Sequence, residues 1–187
     1  MVKKSSKGQP VKGKVTEDEL KIKVAAMDEK GKLKYPFFNK YHDESYIVQH
    51  GEIKLIVAEE NGMVYRLKNE AQKEIVKYKI DGGLIRSQDD NKCDYGIYTE
   101  DKLLILVELK GRHYKHAVTQ ILSTIEKLKL KDTSDINKLF ARVVLSKGHE
   151  VPGTKTSDEM KLDRIIKGKG GNVKKKVNLI EENLSDL

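Results

Sequence analysis

The stretch CDYGIYTEDKLLILVELKG, residues 93–111, decides the fold. Two apolar runs, 93–98 and 103–109, flank the polar tetrapeptide TEDK, and this pattern predicts two antiparallel strands joined by a hairpin connection. Along the second strand the odd-numbered positions are all apolar. The even-numbered face begins with Leu104 and Leu106 but ends with Glu108 and Lys110, so an acid and a base leave the same face at the end of an apolar strand.

The two charged residues at the end of this strand need a physical explanation. Strands this apolar are normally buried on both faces, where an unpaired charge costs several kcal/mol. Because an antiparallel hairpin places the start of one strand beside the end of the next, we expect Asp94 to converge with Glu108 and Lys110. Paired carboxylates suit Mg²⁺ or Mn²⁺, and a neighbouring lysine can orient or deprotonate a nucleophile. Phosphodiester hydrolysis is the natural reaction for such a group.

After Gly111 the sequence changes from strand to helical periodicity. Ala117, Ile121, Ile125 and Leu128 recur at helical spacing, so a helix of several turns is expected. The run FARVVL at 140–145 then predicts a buried strand. A strand, a helix and a strand in this order indicate a parallel crossover, which together with the hairpin predicts a mixed sheet.

The first half of the chain is β-rich. Short β-prone runs lie at 46–48, 53–58, 63–67 and 74–80. The dipeptide Asn61-Gly62 is a strong type I′ hairpin signal, and Asp81-Gly82-Gly83 predicts a turn. The fold class predicted from these patterns is α/β, with a mixed central β-sheet flanked by helices and an N-terminal β-rich extension.

The two ends of the chain have different compositions. Residues 1–14 are predicted to be a flexible basic arm, followed by a short amphipathic helix at 16–27 and a single domain spanning 15–187. Near the C-terminus, Thr156 and Glu159 have capping-box spacing before a short helix, and a final strand is expected at 173–179. The lysines at 174–176 are typical of a protected edge strand, although they could also extend a nucleic-acid contact surface.

The charge balance favours polyanionic partners. The chain has 37 Lys and Arg against 29 Asp and Glu, a formal net charge of +8, and a cationic surface binds nucleic acid by releasing its condensed counterions. A merely solvated, lysine-rich surface explains the same charge equally well.

Cysteine usage points to a reducing compartment. Cys93 is the only cysteine, so neither an intramolecular disulfide nor a cysteine-based zinc site can form within one chain. The N-terminal residues lack the apolar stretch of a signal peptide, and no run approaches the roughly 18 apolar residues of a membrane span. We therefore expect a cytoplasmic protein that does not associate with membranes.

Asp94, a gap of 14 positions and then Glu108-Leu109-Lys110 at the end of an apolar strand resemble the PD-(D/E)xK, or restriction-endonuclease-like, nuclease superfamily. The longer pattern resembles a set of small bacterial and phage proteins that are usually assigned to that superfamily, without a settled biological role. The segments that resemble them are KIDGGLI at 79–85, KCDYGIY at 92–98, VELKG at 107–111 and HAVTQI at 116–121.

This resemblance implies both a core and a set of residue roles. The core would span about residues 74–145. Asp94 and Glu108 would be metal ligands for Mg²⁺ or Mn²⁺, with help from the Leu109 carbonyl, and Lys110 would lie next to the attacking water. Gln120 resembles the glutamine that some branches place beside the site, which would make it a catalytic residue together with Asp94, Glu108 and Lys110. The implied activity is metal-dependent endonuclease cleavage, with DNA as the expected substrate.

The chain departs from the superfamily pattern in two places. Cys93 stands where the superfamily has a proline before the first acid. A helical upstream acid often completes the site, whereas the candidates here, Glu70 and Glu74, lie next to a predicted strand, with Asp81 as a reserve candidate.

The residues that follow the motif allow more than one interpretation. Arg112, Lys115 and His116 could contact phosphates near the scissile bond, or they could form a solvated face. His113 and His116 have a spacing that a metal could use, but surface roles are more common at the exposed start of a helix.

Other functional classes stay open at the level of sequence. A noncatalytic nucleic-acid-binding or adaptor protein could keep this fold with a degenerate site. A basic structural or ribonucleoprotein component would instead spread its affinity over the arm and the tail. Nothing in the sequence resolves whether the chain forms a homodimer.

Overall fold

The central hairpin of the sheet has the predicted form. In the computed structural model, which describes residues 46–87, 91–111, 113–146 and 154–187, β5 covers Tyr95–Thr99 and β6 covers Leu103–Lys110. The two strands are antiparallel, with Tyr95 opposite Val107 and Tyr98 opposite Leu104. Residues 100–102 of the TEDK tetrapeptide make the connection, and its first residue, Thr99, is the last residue of β5.

Seven further strands and two helices lie in the described part of the chain. The strands are β1 (Ile47–Gly51), β2 (Leu55–Glu60), β3 (Met63–Lys68), β4 (Ile75–Lys79), β7 (Lys138–Leu145), β8 (Val173–Val177) and β9 (Leu179–Asn183). The helices are α1 (Tyr114–Lys127) and α2 (Ser157–Gly168), and a 3-10 turn follows at Leu184–Asp186. None of these helices is long and apolar enough to cross a membrane.

A six-stranded mixed sheet forms the centre of the fold, in the order β1-β4-β5-β6-β7-β8. Neighbouring strands are antiparallel from β1 to β6, and β6, β7 and β8 are parallel. Helix α1 connects β6 to β7, and α2 lies between β7 and β8 in the chain. The predicted mixed sheet and strand-helix-strand crossover are therefore confirmed.

The two faces of β6 enter different hydrophobic clusters, as the alternation of its residues predicts. Leu104 and Leu106 pack in the cluster that contains the buried residues of α1 and α2. Ile105 and Val107 pack in a second cluster with the buried residues of β2, β3 and β9. Within the described ranges both helices thus cover one face and a second sheet covers the other. The expectation of a sheet flanked by helices is correct for one face only.

The N-terminal extension is divided between the two sheets. Strand β1 pairs with β4 at the edge of the central sheet, whereas β2 and β3 form a hairpin in a three-stranded sheet of order β2-β3-β9. Asn61 and Gly62 have φ values of 49° and 76°, as a type I′ turn requires. The hairpin signal at this dipeptide is confirmed.

One predicted strand near the C-terminus is in fact two. Asn178, at φ 63°, interrupts the predicted strand at 173–179 and sends the chain from β8 in the central sheet to β9 in the second sheet. Asparagine tolerates this left-handed conformation better than most residues, because its short side chain can bond locally. Strand β8, with the lysines at 174–176, lies at the sheet edge as expected, and Thr156 caps α2 by accepting a hydrogen bond from the Glu159 N–H.

A buried arginine joins the two sheets. Arg142 of β7 is 1% exposed, and its Nε donates to Glu182 Oε1 of β9 at 2.5 Å. Tyr65 of β3 donates its hydroxyl to the same oxygen at 2.8 Å, and Arg142 Nη1 donates to the carbonyl of Asn172. Each ion in the interface has its hydrogen-bonding partners, which offsets the cost of burying it.

The predicted arm at 1–14 and the predicted helix at 16–27 lie outside the described residues. The same holds for the boundary proposed at residue 15, so the prediction of a single domain over 15–187 is unchanged.

Replacing Arg142 with Met should lower the free energy of unfolding by about 3 kcal/mol, because Glu182 would stay buried without its cation. The matched control is Arg66→Met, since Arg66 pairs with Glu181 at 3.8 Å on the exposed side of the second sheet. That change should cost less than about 1 kcal/mol. Urea denaturation measures both values, and equal losses in the two variants would contradict the account.

Candidate active site

Asp94 and the end of β6 meet at one end of the central sheet. Asp94 immediately precedes β5, and its Oδ2 accepts a hydrogen bond of 2.6 Å from the N–H of Leu109. Its main-chain carbonyl accepts from the N–H of Ile80, which follows β4. The antiparallel register therefore brings Asp94 beside Glu108 and Lys110, as the hairpin argument predicts.

Glu108 is a buried carboxyl group with an unsatisfied oxygen. The residue is 1% exposed, and its Oε2 has no hydrogen-bond partner in the described structure. Its other oxygen, Oε1, lies 3.8 Å from Lys110 Nζ. A buried acceptor without a partner is costly, so the site is incomplete as the chain alone builds it.

Burial and mutual repulsion make both carboxyl groups hard to ionise. Burial, and after it the Asp94 carboxylate, raise the pKa of Glu108 from 4.5 to about 9, although Lys110 acts in the opposite direction. Burial also raises the pKa of Asp94 from 3.8 to about 6, opposed chiefly by the hydrogen bond from Leu109. A positive charge placed between the two groups would relieve both effects.

An open cleft of about 470 Å³ adjoins Asp94. Its lining comes from the end of β2, the end of β4 with the turn after it, and the start of β5, and comprises Glu60, Lys79, Asp81, Gly82, Asp94 and Tyr95. Glu60 and Asp81 both contribute to raising the pKa of Asp94. The cleft is therefore acidic, and a substrate phosphate would enter it only with accompanying cations.

Of the three upstream acids considered from the sequence, Asp81 alone is near Asp94. It lines the same cleft, and its Oδ1 lies 3.4 Å from Lys92 Nζ. Glu74 is at the other end of the sheet, where it pairs with His50 at 2.8 Å. Glu70 is exposed and follows β3, which runs away from the cleft, so neither Glu70 nor Glu74 can complete the site.

Gln120 is buried, and its side chain bonds the main chain two residues before Asp94. The side chain is 9% exposed, and its Nε2 donates to the Lys92 carbonyl at 2.8 Å. Its Oε1 is buried without a hydrogen-bond partner in the described structure. The expectation that Gln120 lies near the site is consistent with this position, but its observed bond is to the main chain.

The other residues after the motif lie at the exposed start of α1. Lys115 and His116 are both exposed, and His113 precedes the helix as its N-cap residue without a side-chain capping bond. Partial burial lowers the pKa of His116, and Lys110 and His113 act in the same direction, which shows that His116 is close to the site. Arg112 lies outside the described residues.

The donor set fits a hard divalent cation, although the chain supplies only part of the coordination. In the described ranges no group of three or more His, Cys, Asp and Glu side chains is arranged to hold a metal ion. Asp94 and Glu108 offer carboxylate oxygens, and the Leu109 carbonyl leaves β6 on the same side as the N–H that bonds Asp94. The unpartnered Oε2 of Glu108 is the observation that favours such an ion.

Two neighbours of the site could not be recognised from the sequence. Glu60 belongs to the β2–β3 hairpin, and although its turn is readable, the packing of that turn beside Asp94 depends on the second sheet. Lys92 is 6% exposed and reaches both Asp81 and the Ser87 carbonyl. A lysine in a polar stretch gives no signal of burial.

Comparison with known proteins identified no relative. No protein-family model, no curated protein and no solved structure matches the chain.

Replacing Glu108 with Gln should make the metal-free protein more stable at alkaline pH. The folded state binds the Glu108 proton more tightly than the unfolded state, because the pKa is raised from 4.5 to about 9. The contribution of Glu108 to stability is therefore present below pH 4.5 and is lost as the pH rises towards 9. At pH 8 in EDTA the variant should gain at least about 1 kcal/mol, or roughly 2–4 °C in Tm.

The matched control is Glu126→Gln on the exposed last turn of α1. Thermal melts from pH 4.5 to 9 should show a growing stabilisation for Glu108→Gln and a flat difference for the control. A Glu108→Gln difference that does not change with pH would contradict the raised pKa.

Proposed function

We propose that this protein is a metal-dependent endonuclease of the PD-(D/E)xK kind, which hydrolyses phosphodiester bonds of nucleic acid, with DNA as the expected substrate. The observation that carries the proposal is the group formed by Asp94, Glu108 and Lys110, in which Glu108 Oε2 is buried without a partner. A purely structural ion pair would satisfy its buried oxygens with hydrogen bonds from the protein. The neighbour of Glu108 in this site is instead a second carboxyl group, Asp94, whose charge raises the pKa of Glu108.

Mg²⁺ or Mn²⁺ would be held by Asp94, Glu108 and the Leu109 carbonyl. A bound ion would supply positive charge, which offsets the charge of the two carboxylates, and Lewis acidity, which polarises a phosphoryl oxygen. Because octahedral ions of this type keep several water ligands, two carboxylates and one carbonyl are a sufficient share for the protein. A metal ion could therefore bind here although the described residues bring no group of three or more His, Cys, Asp and Glu side chains together.

The chain's own residues would perform the remaining steps. The Leu109 N–H fixes one oxygen of Asp94, so this carboxylate is oriented before substrate arrives. Lys110 Nζ, 3.8 Å from Glu108, would orient the attacking water as a cation, or accept its proton as the neutral amine. The exposed Lys115 and His116 would contact flanking phosphates.

Three features support this proposal in addition to the sequence resemblance. The central sheet is mixed and is followed by a helix directly after the motif strand, as the resemblance implies. Asp94 bonds the end of β6 because the hairpin places the start of β5 beside it. The net charge of +8 favours binding to a polyanion. A restriction-endonuclease-like core and a cytoplasmic location are part of the proposal, whereas the oligomeric state is left open.

A noncatalytic nucleic-acid-binding or adaptor protein is the second candidate. The observation in its favour is the small number of acidic ligands that the described chain brings together. Such a protein would bind through its basic surface and would be indifferent to metal ions.

A cleavage assay separates the two candidates. Supercoiled, linear, single-stranded and branched DNA, together with RNA, would be incubated with Mg²⁺, Mn²⁺ or EDTA. We expect metal-dependent cleavage of at least one DNA substrate. Glu108→Gln and Lys110→Met should each reduce the rate by about 100-fold or more, since one removes a ligand charge and the other the cation beside the nucleophile.

Matched controls lie in the last turn of α1 and just after it. Glu126→Gln and Lys131→Met remove the same charges at exposed positions and should leave the rate unchanged. Absence of cleavage with every substrate, combined with binding that neither metal nor the Glu108 and Lys110 variants alter, would contradict the nuclease and favour the binding protein.

A further inference from the structure

Three side chains on one stripe of α1 contact three consecutive residues that lead into Asp94. His116, Gln120 and Thr124 are spaced by four, which puts them on one face of the helix. Their contacts are with Asn91, Lys92 and Cys93 respectively, in the same order along the chain. We name these three helix residues the α1 stripe.

The two inner contacts of the α1 stripe bond main-chain groups. Gln120 Nε2 donates to the Lys92 carbonyl at 2.8 Å, and the Cys93 N–H donates to Thr124 Oγ1 at 2.9 Å. The Thr124 hydroxyl in turn donates to the Gln120 carbonyl at 2.9 Å, so its orientation is fixed by its own helix. Gln120 and Thr124 are buried, which makes these bonds stronger and their loss more costly.

The outer contact is between side chains. His116 Nε2 lies 3.0 Å from Asn91 Oδ1, and because an amide oxygen can only accept, the imidazole N–H donates. This pair is exposed, so it should contribute less than the two inner contacts.

Residues 91–93, which the α1 stripe contacts, and Asp94 after them are also held from the opposite side. The Asp94 carbonyl is bonded by the Ile80 N–H on the β4 side, and Lys92 Nζ reaches Asp81 and Ser87. The chain is thus held by α1 on one side and by the turn after β4 on the other. Because the main chain on both sides of Asp94 is held, its side chain lies where Oδ2 can accept a hydrogen bond from the Leu109 N–H, at 2.6 Å.

We propose that Gln120 and Thr124, assisted by His116, are positioning residues that set the place of Asp94 relative to Glu108. They act through the main chain of Lys92 and Cys93 and touch neither metal nor substrate. This changes the role expected for Gln120 from catalysis to positioning. The inference rests on the proposed function only in that Asp94 is taken to be a metal ligand.

The test is amide hydrogen exchange of Leu109 in the metal-free protein, followed by NMR. The Leu109 N–H is protected by its bond to Asp94, so its exchange reports directly whether Asp94 stays in place. The Leu106 amide, in the middle of β6, provides the reference for the whole sheet. In Thr124→Val the ratio of the Leu109 rate to the Leu106 rate should rise about tenfold or more.

Three further variants make the result specific. Thr124→Ser restores the hydroxyl and should return the ratio to the wild-type value. Thr119→Val removes a hydroxyl that bonds the carbonyl of Lys115 in its own helix, and should leave the ratio unchanged. Gln120→Met should raise the ratio as Thr124→Val does, and it serves as the main variant if Thr124→Val does not fold.

Acceleration of Leu109 and Leu106 by the same factor in the Thr124 and Gln120 variants would overturn the proposal, since the α1 stripe would then support the fold without placing Asp94. The exchange ratio does not depend on cleavage activity. Failure of the positioning role and failure of the nuclease proposal are therefore separate results.

Discussion

The arrangement of this protein depends on the burial of a carboxyl group, Glu108, at the end of the most apolar strand of the sheet. Such a group is tolerated when it is neutral, paired or bound to a cation. The nearby lysine offsets only part of the cost, and Asp94 adds to it. The surrounding structure, including the Leu109 N–H and the α1 stripe, keeps the two acids together despite their repulsion.

A buried pair of carboxyl groups costs stability, and the surrounding structure has to offset that cost. The second sheet and the helices bury both faces of β6, and this rigid setting keeps the strand end fixed while its charges repel. The buried Arg142 and Glu182 show the contrasting solution, in which opposite charges satisfy each other between the sheets. An acid with an unsatisfied oxygen at one place and fully bonded ions at another are consistent with a functional role for the first and a structural role for the second.

Much of the fold could be predicted because its signals are local. The apolar alternation of β6, the Asn61-Gly62 turn, the helical spacing in α1 and the Thr156 cap depend on neighbours in the chain. The break at Asn178 was missed because residues 173–179 look like one strand, and only the pairing of β9 with β3 favours a bend there. The second sheet over the other face depends on the same long-range pairing.

The candidate site could likewise be predicted from the sequence only in part. Asp94, Glu108 and Lys110 were predictable because a hairpin converts spacing in the sequence into proximity. Glu60 was not, since it reaches the cleft through packing between sheets. Gln120 and His116 could be singled out from the sequence, but their contacts with residues 91–93, and the part that Thr124 takes in them, depend on the packing of α1 against that segment.

The central claim is that Asp94 and Glu108 bind a divalent cation, and Mn²⁺ titration followed by EPR of the free ion tests it most directly. The wild-type protein should bind Mn²⁺, more tightly at pH 8.5 than at pH 6.5, because the ion competes with the proton on Glu108. Asp94→Asn and Glu108→Gln should each weaken binding by about tenfold or more, whereas Glu126→Gln should not. Equal Mn²⁺ binding by all four proteins, or none by the wild type, would contradict the account.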